Sequence, residues 1–191
     1  MGPPIPSPEE RTLQACGGRR KEPGVPTASE VIARLRQLNA SGDGFVALFD
    51  ARAIAGERHL LSAWAHLGRA RSRQELRLRD RSAEFALYVA GDDQLPRALA
   101  KVGVGTSTEE FVVVAERPRS LSETVEAFGL VEDGSLYPRP PSIESLERLG
   151  VGPEERAAVP SSAWEGLILE RVAFVDLSPP KSGGPAPSQK A

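Results

Sequence analysis

The segment FVALFDARAIAGERHLLSAWAHLGR, residues 45–69, decides the fold class because its hydrophobic period changes from that of a strand to that of a helix. Phe45–Phe49 is a continuous apolar run of strand length that ends at Asp50, which is typical of a buried strand. In the second part the apolar residues recur at helical spacing: Leu60, Leu61, Trp64 and Leu67. Residues 45–69 therefore predict a strand followed by an amphipathic helix, a unit from which α/β folds are built.

The rest of the chain repeats this alternation. Besides the run at 45–50, we predict strands near 84–89, 110–115 and 173–177. Helix starts are predicted where capping or turn residues precede apolar residues at helical spacing, at Thr27, Gly56, Gly91, Ser120, Ser142, Pro153 and Ser162. The sequence therefore predicts a single α/β domain in which a mixed β-sheet of about four or five strands is flanked by helices.

Both ends of the chain differ from the middle in composition. Residues 1–26 and 178–191 are rich in Pro, Gly and Ser and contain few large apolar side chains. Such segments bury too little apolar surface to offset the entropy cost of ordering, so we expect both to be disordered. The predicted domain spans residues 27–177.

The overall charge is nearly balanced, with 24 Lys and Arg against 26 Asp and Glu and a formal net charge of −2. A contact with nucleic acid must therefore come from a local basic patch. Cys16 is the only cysteine, which excludes an internal disulfide and an all-cysteine metal site within one chain. The sequence also lacks a run of roughly 18 apolar residues, so we expect a cytoplasmic protein with no membrane contact. We also expect no cofactor and no metal, because the two histidines, His59 and His66, are seven positions apart and no third ligand is evident.

Residues 58–81 form a basic segment in this balanced chain. It contains seven arginines: Arg58, Arg69, Arg71, Arg73, Arg77, Arg79 and Arg81. Guanidinium groups fork onto phosphates and stack on unpaired bases, as binding of a single-stranded RNA end requires. A solvated arginine-rich loop explains the same pattern, and the residues alone do not decide between the two.

A second interpretation is a small α/β enzyme. Glu57, His59 and Gln94 fall after predicted strands, where such folds place their ligands. No Ser, Cys or Lys nucleophile is tied to these residues by a recognisable motif, so the binding interpretation is preferred. Turnover of a small molecule by the isolated chain would favour the enzyme.

The last predicted helix is apolar on more than one face. One stripe contains Trp164, Leu167 and Ile168, and another contains Leu169 and Val172. A helix of this kind is either buried on several sides or covered by a partner. We expect Leu169 and Val172 to face the chain's own sheet and the first stripe to face a partner.

Four segments in register resemble one family. They are residues 49–63 (FDARAIAGERHLLSA), 84–98 (EFALYVAGDDQLPRA), 110–115 (EFVVVA) and 169–177 (LERVAFVDL). The chain resembles the Cgi/TPRKB-like family of KEOPS kinase-associated subunits, and it looks closest to the archaeal members. The most specific positions are Ala51, His59-Leu60 and the turn from Ala90 to Leu95.

The resemblance implies a non-catalytic subunit of the complex that makes N6-threonylcarbamoyladenosine in tRNA. The direct partner would be the small atypical kinase subunit, with the threonylcarbamoyl transferase subunit in the same complex but not in contact. In archaeal relatives the family also holds the single-stranded 3′ acceptor end of tRNA, which agrees with the basic segment. The residues expected to bind tRNA are Arg52, His59, Arg69, Arg71, Arg73 and Gln94. The residues expected to contact the kinase are Trp164, Leu167, Ile168 and Arg171.

Overall fold

A computed structural model of the protein describes residues 12–22, 27–40 and 44–177. In these residues the strands are β1 (Leu13–Arg20), β2 (Val46–Asp50), β3 (Glu110–Glu116) and β4 (Leu130–Glu132). The helices are α1 (Ala28–Asn39), α2 (Glu57–Ser72), α3 (Arg81–Ala90), α4 (Leu95–Val102), α5 (Leu121–Ala127), α6 (Ile143–Arg148), α7 (Pro153–Ala157) and α8 (Trp164–Leu177), with short 3-10 helices at Ala51–Ala53 and Ser161–Ala163. The predicted α/β class is confirmed.

The four strands form one sheet in the order β2-β3-β1-β4, and every pairing is antiparallel. Alternating side chains of β3 enter two hydrophobic cores. Val112 and Val114 pack on the side of α2, α3 and α8, whereas Phe111 and Val113 pack on the side of α1 and α5. The sheet therefore lies between two helical layers, as expected for strands that are apolar on both faces.

Several predicted helix starts are confirmed. Thr27 and Glu30 form a reciprocal capping box at the start of α1, and Ser120 caps α5. Pro96 lies in the first turn of α4, where the missing N–H group costs nothing. In the described residues no helix is both long enough and apolar enough to cross a membrane.

The prediction for residues 13–20 is wrong. Their composition predicts a disordered leader, but they form β1, an interior strand that pairs with β3 on one side and β4 on the other. Gly17 is closely covered by the backbone of Asp133, so a small residue is required there. The strand is held by backbone ladders on both sides and by Cys16 in the core. The rest of the two predicted disordered segments, residues 1–11, 23–26 and 178–191, lies outside the described residues.

The strand predicted near residues 84–89 is helix α3. Asp80 starts this helix, because its side chain accepts hydrogen bonds from the N–H groups of Ser82 and Ala83. Residues 84–90 are all buried. A helix buried on every side has an unbroken apolar sequence, which has no helical period to distinguish it from a buried strand.

The strand predicted near residues 173–177 is the final part of helix α8. Ile168, Val172 and Val175 recur at i, i+4 and i+7 and are fully or almost fully buried. They pack into the core shared with α2 and α3, so this spacing sets the inward face of the helix. Val172 lies in the core that side chains of β2 and β3 also enter, and the main neighbours of α8 are α2 and α3.

Close packing at Gly17 gives a stability prediction. A Cβ atom at Gly17 would lie 2.3 Å from the carbonyl oxygen of Asp133 and 2.6 Å from the Cβ of Leu136. We expect Gly17→Ala to lower the free energy of unfolding by about 1–3 kcal/mol because the backbone of residues 133–136 must move. Urea denaturation measures this change.

Gly18→Ala is the matched control. A Cβ atom at Gly18 would lie 3.3 Å from a methyl group of Leu130, which is a side chain that can move. We expect this variant to lose less than about 1 kcal/mol, since overpacking against a flexible group costs little. Equal losses for both variants would contradict the close contact at Gly17.

Candidate functional site

The first candidate region lies where β2 leads into α2. Asp50 is buried, and its carboxylate is 2.7 Å from Nη2 of Arg52 and 3.3 Å from Nη1 of Arg148. Burial alone would raise the pKa of Asp50, but hydrogen bonds from Arg52 and the charge of Arg148 outweigh it and hold the pKa below its usual value. Arg52 is thereby fixed at the surface by a buried carboxylate.

His59 is fully buried in the first turns of α2. Its Nδ1 accepts a hydrogen bond from the N–H of Ala55 at 3.3 Å, so Nε2 carries the proton and donates to the carbonyl of Val89 at 2.8 Å. Burial lowers the pKa of His59 to about 4. The expectation that His59 lies beside RNA bases is therefore wrong, and the residue instead ties α2 to the end of α3.

The geometry does not favour the small-molecule enzyme. Both ring nitrogens of His59 are occupied by backbone groups, so the ring cannot accept a substrate proton in this arrangement. Glu57 is exposed at the start of α2, and Gln94 is the residue that precedes α4. The turn before Gln94 is acidic but paired, since Asp92 and Asp93 both contact Arg97.

The second candidate region lies at the other end of α2. Arg69, Arg71 and Arg73, here called the arginine cluster, are exposed in and just after its last turn. Arg71 also lies 4.0 Å from the buried carboxylate of Glu116, which Arg81 contacts at 3.0 Å. The last turn of a helix favours cations, so the arginine cluster also complements the helix dipole.

The residues predicted to bind tRNA thus fall into two groups. The rise along α2 from His59 to Arg69 is about 15 Å, which separates the arginine cluster from the group at the start of the helix. Gln94 follows the end of α3 that His59 contacts, so it belongs to the group at the start of α2. A single RNA strand that touches both groups has to run along the length of α2.

The third candidate region is α8. Ile168 is fully buried in the chain's own core, so the prediction that it faces a partner is wrong. Trp164 and Leu167 are partly buried against the same core. Arg171 forms an ion pair with Glu155, and its guanidinium lies 5.8 Å from the ring centre of Phe174.

Two residues that the sequence analysis did not select are the most exposed apolar groups of α8. Phe174 is 49 % exposed and Leu177 is 75 % exposed. They are three positions apart in one helix, so they share a face, here called the apolar patch. The predicted strand at 173–177 places these two residues on opposite sides, because side chains three positions apart in a strand point in opposite directions. The shared face therefore appears only in the helix.

The helix that carries the apolar patch is firmly held. Arg58 contacts Glu165 at 2.8 Å near its start, and His66 contacts Asp176 at 2.6 Å near its end. Both pairs join α8 to α2. Gly91, with φ of +58°, approaches the backbone of Arg171 so closely that a Cβ atom would lie 2.7 Å from the Cβ of Arg171.

Comparison with known proteins gives one family. Residues 24–138 match the family described as "Kinase binding protein CGI-121". The matched range contains β2 to β4 and α1 to α5 and ends before α8. No curated protein matches the chain.

Proposed function

Because the chain belongs to the CGI-121 family of kinase-binding proteins, we propose that it is the non-catalytic, kinase-binding subunit of a cytoplasmic KEOPS complex. The complex would modify tRNA to N6-threonylcarbamoyladenosine, with the transferase subunit present but not in direct contact. The family match is the observation that carries this proposal. The fold alone would not identify the function.

The kinase subunit docks on α8 through the apolar patch. Phe174 and Leu177 are large apolar side chains that remain exposed at the end of a helix. Burying them against a partner is favourable, and aromatic residues are enriched among the residues that dominate binding energy. The contacts of α8 with α2 hold the patch in place before binding, which lowers the entropy cost of association. Trp164 and Leu167, which are only partly buried, extend the contact toward the start of the helix.

The acceptor end of tRNA binds to the arginine cluster. In the described part of the chain, neither Arg69 nor Arg73 forms an ion pair, and both side chains are exposed. They can therefore reach phosphates without first breaking an ion pair. Arg71, in contrast, already lies 4.0 Å from the carboxylate of Glu116. Arg52 and Gln94, at the far end of α2, bind terminal nucleotides, and His59 supports that end from inside the core.

Salt dependence tests the RNA site. Each phosphate contact that is lost should lower the magnitude of the slope of log affinity against log salt by roughly 0.7 for a single strand. We expect Arg69→Gln combined with Arg73→Gln to weaken binding of a tRNA with an intact 3′ end and to lower that slope by about 1.4. Fluorescence titrations over a range of salt concentrations measure both quantities.

Arg34→Gln combined with Arg36→Gln is the matched control. These arginines are exposed on α1, on the opposite side of the sheet from α2. The control removes the same net charge, so a general charge effect would change both slopes equally. Equal slopes for the two double variants would exclude the arginine cluster as the RNA site.

A further inference from the structure

Arg77 belongs to the basic segment, yet its side chain points inward and is only 13 % exposed. Its Nη2 donates a hydrogen bond to the carbonyl oxygen of Val175 in α8 at 2.5 Å. Its Nη1 contacts the hydroxyl of Tyr88 in α3 at 3.3 Å and lies 3.6 Å from the carboxylate of Glu84. One guanidinium therefore joins residues 73–80, here called the basic loop, to two helices.

Glu84 fixes the backbone of the same loop. It is fully buried, and its Oε2 accepts hydrogen bonds from the N–H groups of Arg77 at 3.1 Å and Leu78 at 2.9 Å. A buried carboxylate requires such partners, because an unpaired buried charge is strongly destabilising. The conformation of the basic loop thus depends on a group inside the core.

The last turn of α8 is held by the same group of residues. Asp176 lies 2.6 Å from Nδ1 of His66, and the His66 ring is 5.7 Å from the ring of Tyr88. Burial raises the pKa of Tyr88 to about 12, and the nearby Asp176 also raises it while Arg77 lowers it. The basic loop, α2, α3 and the end of α8 therefore share one connected polar network.

We propose that Arg77 is a positioning residue that fastens the basic loop to the last turn of α8, so that binding of the kinase at the apolar patch strengthens RNA binding. This inference rests on the proposed function. The two residues of the apolar patch, Phe174 and Leu177, flank Val175 in the sequence. The carbonyl oxygen of Val175 accepts the hydrogen bond from Arg77. A partner that covers Phe174 and Leu177 suppresses fraying of this turn and keeps that acceptor in place.

Hydrogen exchange on the full chain tests the fastening without either partner. Arg77→Lys keeps a positive charge beside Glu84 but removes the guanidinium, whose two Nη atoms contact Val175 and Tyr88 at the same time. We expect the amide of Leu78 and the amides of residues 175–177 to exchange about tenfold faster in this variant, with the amides of β3 unchanged. Arg79→Lys, the same substitution at an exposed position of the same loop, should leave both regions unchanged.

A second variant covers the case in which Arg77→Lys does not fold. Asp176→Asn removes the charge on the α8 side of the network and leaves the buried pair of Glu84 and Arg77 intact. It should accelerate exchange at the same two places, by a smaller factor. Faster exchange in only one of the two places would show that the basic loop and α8 open independently. Unchanged exchange in both places would show that this network does not fasten the loop to α8.

The coupling itself is measured by titrating a tRNA with an intact 3′ end, in the presence and absence of saturating kinase subunit. We expect the wild-type chain to bind tRNA about 5-fold more tightly with the kinase present, at the low end of typical coupling between sites, and the Arg77→Lys chain to show no gain. If both partners bind but neither alters the affinity of the other, the coupling is refuted and the proposed function stands. If one partner does not bind at all, the proposed function fails, and with it the coupling.

Discussion

Phe174→Asp is expected to lower the affinity of the protein for the kinase subunit by at least about 100-fold, since the substitution removes a central aromatic contact and places a charge in a dry interface. Folding should survive, because the inward face of α8 is formed by Ile168, Val172 and Val175. Isothermal titration with the kinase measures the affinity, and a thermal melt of the isolated variant measures the stability.

Leu99→Asp is the control for this substitution. Leu99 is 49 % exposed, the same fraction as Phe174, but it lies on α4. Placing a charge at an equally exposed apolar position away from α8 should leave the kinase affinity within about twofold of wild type, since exposed sites tolerate polar substitution. If Leu99→Asp lost as much affinity as Phe174→Asp, or if Phe174→Asp bound normally, the docking face would lie elsewhere.

The free energy of unfolding is expected to fall by about 2 kcal/mol between about pH 8 and pH 5, because His59 takes up a proton in the unfolded chain and not in the folded chain. Burial lowers the pKa of this residue to about 4 in the folded chain, whereas the ordinary value is 6.5. The unfolded chain therefore binds a proton in this interval that the folded chain does not, and the free energy of unfolding falls as the pH falls from 6.5 toward 4. Urea denaturation at several pH values measures the slope.

His59→Gln separates this effect from titration of carboxyl groups. Glutamine has no titrating group, so the pH dependence between 6.5 and 5 should be flatter than in the wild-type chain, on a lower overall stability. The loss of stability is expected because the N–H of Ala55 and the carbonyl of Val89 lose their buried partners. An unchanged slope in this variant would show that His59 is not the titrating group.

The sequence predicted a helix with one exposed and one buried face and a strand with clear ends. The helix from Gly56 is of the first kind, and both it and the strand at 45–50 are present. That strand is buried throughout, but Gly44 and Asp50 mark its two ends. Helix α3 could not be recognised, because burial on every side removes the polar face that gives a helix its period. Strand β1 was missed because its pairing with β3 depends on residues about a hundred positions away.

The candidate site was predictable in part. The exposed arginines of the arginine cluster follow from charge in the sequence, but the inward direction of Arg77 depends on the positions of Glu84 and Val175 in the fold. His59 is a polar residue whose two hydrogen-bond partners are backbone groups. Backbone partners leave no pattern in the sequence, so the burial of His59 could not be predicted. Phe174 could have been found by continuing the helical spacing from Leu167, since the two residues are seven positions apart.

Hydrogen exchange of the protein with and without its kinase subunit is the most direct test of kinase docking on α8. At saturating kinase, we expect slower exchange in the last turns of α8, residues 170–177, and no change in α1 on the opposite side of the sheet. Slower exchange in α1 with α8 unchanged, or no change anywhere in the chain at saturating kinase, would contradict it.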